Sequence, residues 1–124
     1  MKKSNITLVL GASTKPDRYS YLAAERLNKH KQEIILVGRS DGQVAGADIL
    51  DEIPKDIPID TVTIYLGADN QTGYYDEILA LKPRRVIFNP GAENPEFEAL
   101  LRDAGIGIEV IRACTLVMLS TNQY

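Results

Sequence analysis

Five short runs of β-branched residues and leucine punctuate the chain, and the segments between them carry helical patterning. The runs cover residues 6–10, 33–37, 61–66, 85–88 and 107–111. They are nearly continuous in apolar residues, which is typical of strands covered on both faces, whereas half-exposed strands alternate. The pattern therefore predicts an α/β domain of three layers, doubly wound, with a mostly parallel sheet of five or six strands.

The intervening segments supply the helices of this domain. The clearest helix is predicted over residues 95–104, with Asn94 as its N-terminal cap and Gly105 just past its end. Two further helices are predicted over 19–31 and 71–81. Residues 40–60 contain glycine and proline at several positions and predict a loop with a short strand near 47–50.

Length and charge limit the classes of function. A chain of 124 residues is the common size of one domain, so residues 1–124 are expected to form a single core. The net charge of −3 provides no basic field for binding nucleic acid. The single cysteine, the lack of a leader-like N-terminal pattern and the absence of a long apolar stretch lead us to expect a cytoplasmic protein outside the membrane.

The loop after the first run, residues 11–20, has the composition of an anion site. It combines a glycine, hydroxyl side chains and two cations immediately before a predicted helix. The alternative is an ordinary strand-to-helix turn with solvated cations, but its place after the first strand favours phosphate binding. It lacks the glycine spacing of dinucleotide-binding and nucleoside triphosphate loops. The ligand contacts predicted here are Gly11, Ala12, Ser13, Thr14, Lys15, Arg18, Tyr19 and Ser20.

The second run ends in Val37, Gly38 and Arg39, which we also predict to contact the ligand. NAD-binding domains place an acidic residue here for the ribose hydroxyls, whereas a guanidinium suits a phosphate on the ribose. NADP and coenzyme A (CoA) both carry such a phosphate. An exposed loop cation is the alternative for Arg39. A reductase would also need a surface for its substrate and a proton donor, and the lone His30 is predicted at the far end of the first helix.

The loop after the fourth run is predicted to reach the same edge of the sheet, with ligand contacts from Asn89, Pro90 and Gly91. Acidic residues are scattered over helix faces without converging pairs, so no catalytic set is predicted. One cysteine and one histidine cannot supply the three or four ligands of a zinc site. We predict packing, not reactivity, for Cys114 at the start of a terminal apolar segment.

These residues, in their order and spacing, resemble a known family. The matching positions are Gly11-Ala12-Ser13, Pro16, Arg18, Tyr19, Ser20, Gly46, Asp60, Asn89-Pro90-Gly91-Ala92 and Cys114. The whole chain resembles the small stand-alone CoA-binding domain proteins, relatives of the CoA-binding domain of succinyl-CoA synthetase alpha subunits. The resemblance implies a Rossmann-like domain that binds CoA without an established enzymatic activity. It assigns phosphate binding to Ser13, Thr14, Lys15 and Arg18, and nucleotide contacts to Val37, Leu66 and Gly67.

One departure from the family pattern lies after the second run, where many relatives have Val-Asn-Pro and this chain has Val37-Gly38-Arg39. The exchange changes how adenine or the ribose phosphate would be held. Three functions stay open at this point: a non-catalytic CoA or acyl-CoA binding module, an NADP-binding reductase or redox sensor, and an interaction subunit that keeps a nucleotide-binding fold. The sequence identifies no particular protein partner.

Overall fold

The computed structural model describes residues 5–124 and contains one seven-stranded sheet. The strands are β1 (Ile6–Leu10), β2 (Glu33–Val37), β3 (Gln43–Val44), β4 (Ala47–Leu50), β5 (Thr61–Ile64), β6 (Arg85–Phe88) and β7 (Glu109–Arg112). The helices are α1 (Tyr19–Lys29), α2 (Tyr75–Leu81), α3 (Pro95–Asp103) and α4 (Thr115–Ser120). None of these helices has the length and apolar character needed to cross a membrane.

The strand order is β3-β4-β2-β1-β5-β6-β7, and every neighbouring pair is parallel except β3 and β4. The chain moves outward from β1 through β2 on one side and then returns to β5 on the other. Strand order therefore reverses between β1 and β5, which is the point where open α/β sheets bind ligands beyond their carboxyl ends. The predicted doubly wound α/β class is confirmed.

Helices cover the sheet on both faces, as the continuous apolar runs predicted. Leu8 and Leu10 of β1 join a core with Ile78 of α2 and Phe97 of α3, whereas Val9 packs in a second core. The second core contains Ala24 and Leu27 of α1 together with Leu119 of α4. Adjacent residues of one strand thus enter different cores, so a strand of this kind cannot alternate with polar residues.

The prediction of five or six strands was wrong by one short strand. β3 has only two residues and pairs antiparallel with β4 through a two-residue turn at Ala45 and Gly46. Both turn residues have positive φ, +52° and +83°, the conformation of a type I′ hairpin. A strand this short has no periodicity of its own, and its glycine-rich surroundings predict a loop.

The segment predicted as one helix over 71–81 is divided. Two 3-10 turns, Ala68–Asn70 and Thr72–Tyr74, precede α2. Gly73 lies within the second turn, where its low helix propensity disfavours continuation of an α-helix. The predicted strand over 61–66 likewise ends at Ile64, so Tyr65 and Leu66 lie in the connection beyond the sheet.

Candidate functional site

A cleft of about 620 Å³ lies at the carboxyl edge of the sheet, across the point where strand order reverses. We divide its lining into two walls. The cationic wall comes from the loops after β1 and β2 and contains Gly11, Ala12, Ser13, Lys15, Arg18, Tyr19, Ser20, Val37, Gly38, Arg39 and Ser40. The neutral wall comes from the loops after β5 and β6 and contains Tyr65, Leu66, Asn70, Tyr74 and Pro90.

Backbone contacts hold the cationic wall together. The N–H groups of Gly11 and Ala12 both donate to the carbonyl oxygen of Val37, at 2.8 and 2.9 Å. A Cβ on Gly38 would lie 2.3 Å from the carbonyl oxygen of Ala12, closer than any side chain can approach. Glycine at position 38 is therefore required for the loop after β1 to pack on the loop after β2.

Gly11 lies between the two walls. Its φ is +96°, and a Cβ there would be 3.1 Å from Cδ2 of Leu66 in the neutral wall. The sequence predicts Gly11 as a ligand contact, and Gly11 lines the cleft. The left-handed backbone favours glycine here, and a Cβ would also make a tight contact with the Leu66 side chain, so glycine is explained without a ligand.

The loop after β1 presents donors at the start of α1. Arg18 occupies the N-cap position in an extended conformation, and no side chain caps the helix. The backbone N–H groups of Tyr19 and Ser20, in the first turn, have no acceptor within the helix. Upstream, the hydroxyl of Ser13 accepts a 3.1 Å hydrogen bond from the Lys15 N–H and shapes the turn. Unsatisfied N–H groups and the helix dipole together favour an anion.

The charge of the cleft is opposite to that of the protein. Lys15, Arg18 and Arg39 line it, are exposed, and form no ion pair with any residue in the described range 5–124. Among the residues that the structure describes, no aspartate or glutamate lines the same cleft. Three unpaired cations thus converge in a protein whose net charge is −3, which indicates an anionic ligand.

Side chains, in contrast, hold the neutral wall. The Gln71 Nε2 donates to the carbonyl oxygens of Leu66 and Ala92, each at 2.8 Å. Its Oε1 accepts from the Nδ2 of Asn94 at 3.0 Å. Asn94 is also the N-terminal cap of α3, as the sequence predicted. Its Oδ1 accepts a hydrogen bond from the Phe97 N–H at 3.1 Å. The loops after β5 and β6 are therefore joined through two buried amides.

Most of the predicted site residues lie in the cleft lining, but Thr14, Gly67, Asn89 and Gly91 lie outside it. Asn89 is 1% exposed and binds other parts of the protein. Its Nδ2 donates to the Thr63 hydroxyl at 2.7 Å, and its Oδ1 accepts from the Thr115 N–H at 2.8 Å. This amide connects β5, β6 and α4. An asparagine at this buried position is therefore explained by contacts within the protein and needs no ligand.

The sequence did not predict four of the residues that line the cleft, namely Ser40, Tyr65, Asn70 and Tyr74. Ser40 directly follows the predicted Arg39. Tyr65 would have followed from ending the third strand at Ile64, since residues just past a parallel strand face the ligand edge. Asn70 and Tyr74 lie on the 3-10 turns, and no pattern in the sequence signals that these turns fold over the cleft.

Tyr65 is the lining residue whose acidity is most changed by its surroundings. Burial raises the pKa of its phenol to about 12, and the neighbouring Thr115 and Thr63 hydroxyls only partly offset this rise. Those two hydroxyls hydrogen-bond to each other at 2.8 Å, and although they lie near the buried phenol oxygen, no group within residues 5–124 meets hydrogen-bond geometry with it. Tyr65 is therefore protonated at neutral pH and is a poor general base.

Asp60 and Cys114 are among the residues of the family pattern that do not line the cleft. Asp60 precedes β5 and binds the Arg84 guanidinium through both carboxylate oxygens at 2.9 Å. Burial alone would raise the pKa of Asp60, but hydrogen bonds from Arg84 and Thr61 and the charges of Arg84 and Arg85 hold it below its ordinary value. Cys114 is half-buried before α4 and does not line the cleft. Within residues 5–124, histidine, cysteine and acidic side chains form no metal-binding cluster.

Comparison with solved structures supports the fold. A crystal structure of an uncharacterized protein is 50% identical, with a TM-score of 0.92 over 99% of this chain and 100% of that one. A protein from Thermus thermophilus is 23% identical, with a TM-score of 0.83 over 98% and 91% of the two chains. A hypothetical protein from Pyrococcus horikoshii OT3 is 24% identical, with a TM-score of 0.76 over 93% and 81%. The last two show the fold alone.

Comparison by sequence identifies the family. No protein of curated function is significantly similar to the chain. The model of the CoA-binding domain family matches residues 5–120, which include both walls of the cleft and the whole sheet. The match agrees with the resemblance carried by the loops at the carboxyl edge. The chain belongs to the CoA-binding domain family, which indicates CoA as its ligand.

Proposed function

We propose that the protein binds CoA or an acyl-CoA in this cleft and serves as a carrier, sensor or accessory module without catalysing a reaction. The observation that carries the proposal is the convergence of Lys15, Arg18 and Arg39 in a cleft without carboxylates. The diphosphate and 3′-phosphate of CoA together carry roughly four negative charges at neutral pH. The cleft volume of 620 Å³ also falls in the usual range of cofactor sites, about 300–1,000 Å³.

The two walls suit different parts of this ligand. The donors at the start of α1, with Lys15 and Arg18, suit the diphosphate. Arg39 follows β2, where ribose recognition occurs in doubly wound folds, and its guanidinium suits the 3′-phosphate. The neutral wall offers amide, phenol and apolar groups, including Asn70, Tyr74 and Leu66, which suit the uncharged pantetheine arm.

The composition of the cleft supports binding over catalysis. As far as the structure describes the chain, from residue 5 to residue 124, the lining contains no carboxylate, histidine or cysteine, and burial raises the pKa of the Tyr65 phenol to about 12. General acid-base chemistry at neutral pH needs groups that titrate near 7. We expect no hydrolysis of acetyl-CoA above the buffer rate in a thiol-release assay. Steady thioester cleavage by purified protein would overturn the non-catalytic part of the proposal.

Thermal unfolding with added ligands tests the choice of cofactor. Because a ligand that binds the folded state stabilises it according to its concentration and affinity, CoA should raise Tm more than NADP or NAD at equal concentration. NADP is the competing ligand, since Arg39 would also suit its 2′-phosphate. A larger rise in Tm with NADP than with CoA would make NADP the ligand of this cleft. Equal rises with CoA and NAD would show that Arg39 does not select a ribose phosphate.

A matched pair of double variants tests the cationic wall. Lys15→Ala with Arg18→Ala should weaken CoA binding by about 10- to 100-fold in calorimetry, because each lost charge-assisted contact is worth on the order of 1 kcal/mol at an exposed site. The control is Arg26→Ala with Lys29→Ala, which removes two exposed cations from the last turn of α1. The control should keep nearly full affinity, and a similar loss in both would indicate net charge alone.

A further inference from the structure

Gln71 lies in the chain between two residues of the neutral wall, Asn70 and Tyr74, yet its own side chain is fully buried. Both hydrogens of its Nε2 are used, on the carbonyl oxygens of Leu66 and Ala92. Its Oε1 accepts from Asn94. A ligand in the cleft therefore has no free donor of this amide to bind, and the side chain acts only on the protein around it.

The backbone of Gln71 also fixes the 3-10 turns. Its N–H donates to the carbonyl oxygen of Ala68 at 3.1 Å, and its own carbonyl accepts from the Tyr74 N–H at 2.9 Å. Leu66 lies before these turns and Tyr74 at their end, and both line the cleft. One residue thus holds the beginning of this segment through its side chain and the end through its backbone.

The partners of Gln71 on the far side are themselves anchored. Ala92 and Asn94 belong to the loop after β6, which contributes Pro90 to the neutral wall. Asn94 caps α3 and also donates to the Tyr75 hydroxyl at 2.8 Å. The Tyr75 ring stacks on Phe97 in the core at a centroid distance of 4.2 Å. The Gln71 amide therefore connects both loops of the neutral wall to the start of α3.

We propose that Gln71 is the positioning residue of the neutral wall, holding it in the conformation that accepts the pantetheine arm. The inference rests on the proposed function and deepens it, because it assigns the arm to the wall that Gln71 organises. Among residues 5–124, the hydrogen bonds of the Gln71 side chain go to Leu66, Ala92 and Asn94 and to no residue of the cationic wall. Loss of Gln71 should therefore weaken recognition of the arm and leave recognition of the phosphates intact.

The test compares two ligands in calorimetry: CoA, and adenosine 3′,5′-bisphosphate, which keeps the 3′-phosphate but has no pantetheine arm. Wild-type protein should bind CoA more tightly. In Gln71→Met the affinity for CoA should fall about tenfold, since wall side chains must then be ordered during binding, while the bisphosphate affinity changes less than about twofold. Gln71→Glu has nearly the same shape; a buried carboxyl facing two carbonyl oxygens is protonated and keeps at most one of the two donated hydrogen bonds, so this variant repeats the test if the first does not fold.

The control is Ile108→Ala, a truncation of a 9% exposed core residue that precedes β7 at the amino end of the strands, opposite the edge that holds the cleft. It lowers stability, and it should leave both ligand affinities within about twofold of wild type. Equal losses for the two ligands in the Gln71 variants, or no loss for CoA, would overturn the positioning role. A wild type that binds the bisphosphate as tightly as CoA would overturn it while leaving the cleft as a CoA site. A wild type that binds neither would remove the proposed function and the inference together.

Discussion

The two walls of the cleft face the same space but are built by different means. The cationic wall is set by backbone contacts: Gly11 and Ala12 donate to Val37, and Gly38 allows the two loops to touch. The neutral wall is set by side-chain amides that bridge loops distant in sequence, with Gln71 at the centre. The folding stability of the cationic wall should therefore change little when its exposed side chains are replaced and fall when a Cβ is added at a glycine. The stability of the neutral wall should fall when its buried amides are replaced and change little when a Cβ is added.

The largest expected effect is on the cationic wall, from Gly38→Ala. The new Cβ would lie 2.3 Å from the carbonyl oxygen of Ala12, so that one of the loops must move. We expect a loss of about 3 kcal/mol in the free energy of unfolding, the upper end of overpacking costs, measured by urea unfolding. Binding of CoA should be lost as well, because the loop that carries Lys15 and Arg18 shifts.

Gly73→Ala is the matched change on the side of the neutral wall. A Cβ at Gly73 meets nothing within 4 Å, and this residue needs no positive φ. Alanine should leave stability unchanged or raise it by about 0.5 kcal/mol through a less flexible unfolded chain. Similar losses in the two glycine variants would contradict the difference in construction between the walls.

The second effect in size is Asn94→Ala, which acts on the neutral wall. The substitution removes the cap of α3 and the hydrogen bonds to Gln71 and Tyr75. We expect a loss of about 2 kcal/mol in unfolding free energy, since a lost cap costs about 1 kcal/mol and buried partners are left unpaired. The control Asn28→Ala changes an exposed asparagine of α1 and should be neutral or slightly stabilising. An equal loss of unfolding free energy in Asn94→Ala and Asn28→Ala would mean that the buried hydrogen bonds of Asn94 do not stabilise the fold.

The same division decides what the sequence could predict. The cationic wall follows from local signals, namely strand ends, glycines and cations before a helix, and Lys15, Arg18 and Arg39 all lie in the cleft. The sheet and its order of helices were predictable for the same reason, because apolar periodicity is local. The short β3 was not, since its pairing with β4 is fixed by the turn at Ala45 and Gly46.

The neutral wall depends on contacts between residues 66, 71, 92 and 94, which no local pattern brings together. Asn89 shows the converse difficulty. Its position after β6 suggested ligand contact, but an amide at a strand end can equally bind the neighbouring strand, and Asn89 binds Thr63 and the N–H of Thr115. The type of a polar residue and its strand position together leave its partner undetermined.

The smallest expected effect concerns the β3–β4 hairpin, which lies behind the cationic wall. A Cβ at Gly42, just before β3, would lie 2.7 Å from Cγ2 of Thr14 in the loop after β1, so the hairpin packs closely on that loop. Its turn has alanine at position 45 with φ of +52°. A left-handed conformation costs an ordinary residue about 1–2 kcal/mol, and asparagine followed by glycine is the preferred pair in such turns.

Ala45→Asn should therefore raise the free energy of unfolding by about 0.5 kcal/mol, because asparagine tolerates positive φ better than alanine. Ala45→Val should lower it by more than about 1 kcal/mol, because a β-branched residue at positive φ is strongly disfavoured. Urea unfolding of the two variants measures both changes. The turn lies outside the cleft, so CoA affinity should stay unchanged in Ala45→Asn. Shifts of the same sign in both variants would mean that side-chain packing at position 45, and not its backbone conformation, limits the stability of the hairpin behind the cationic wall.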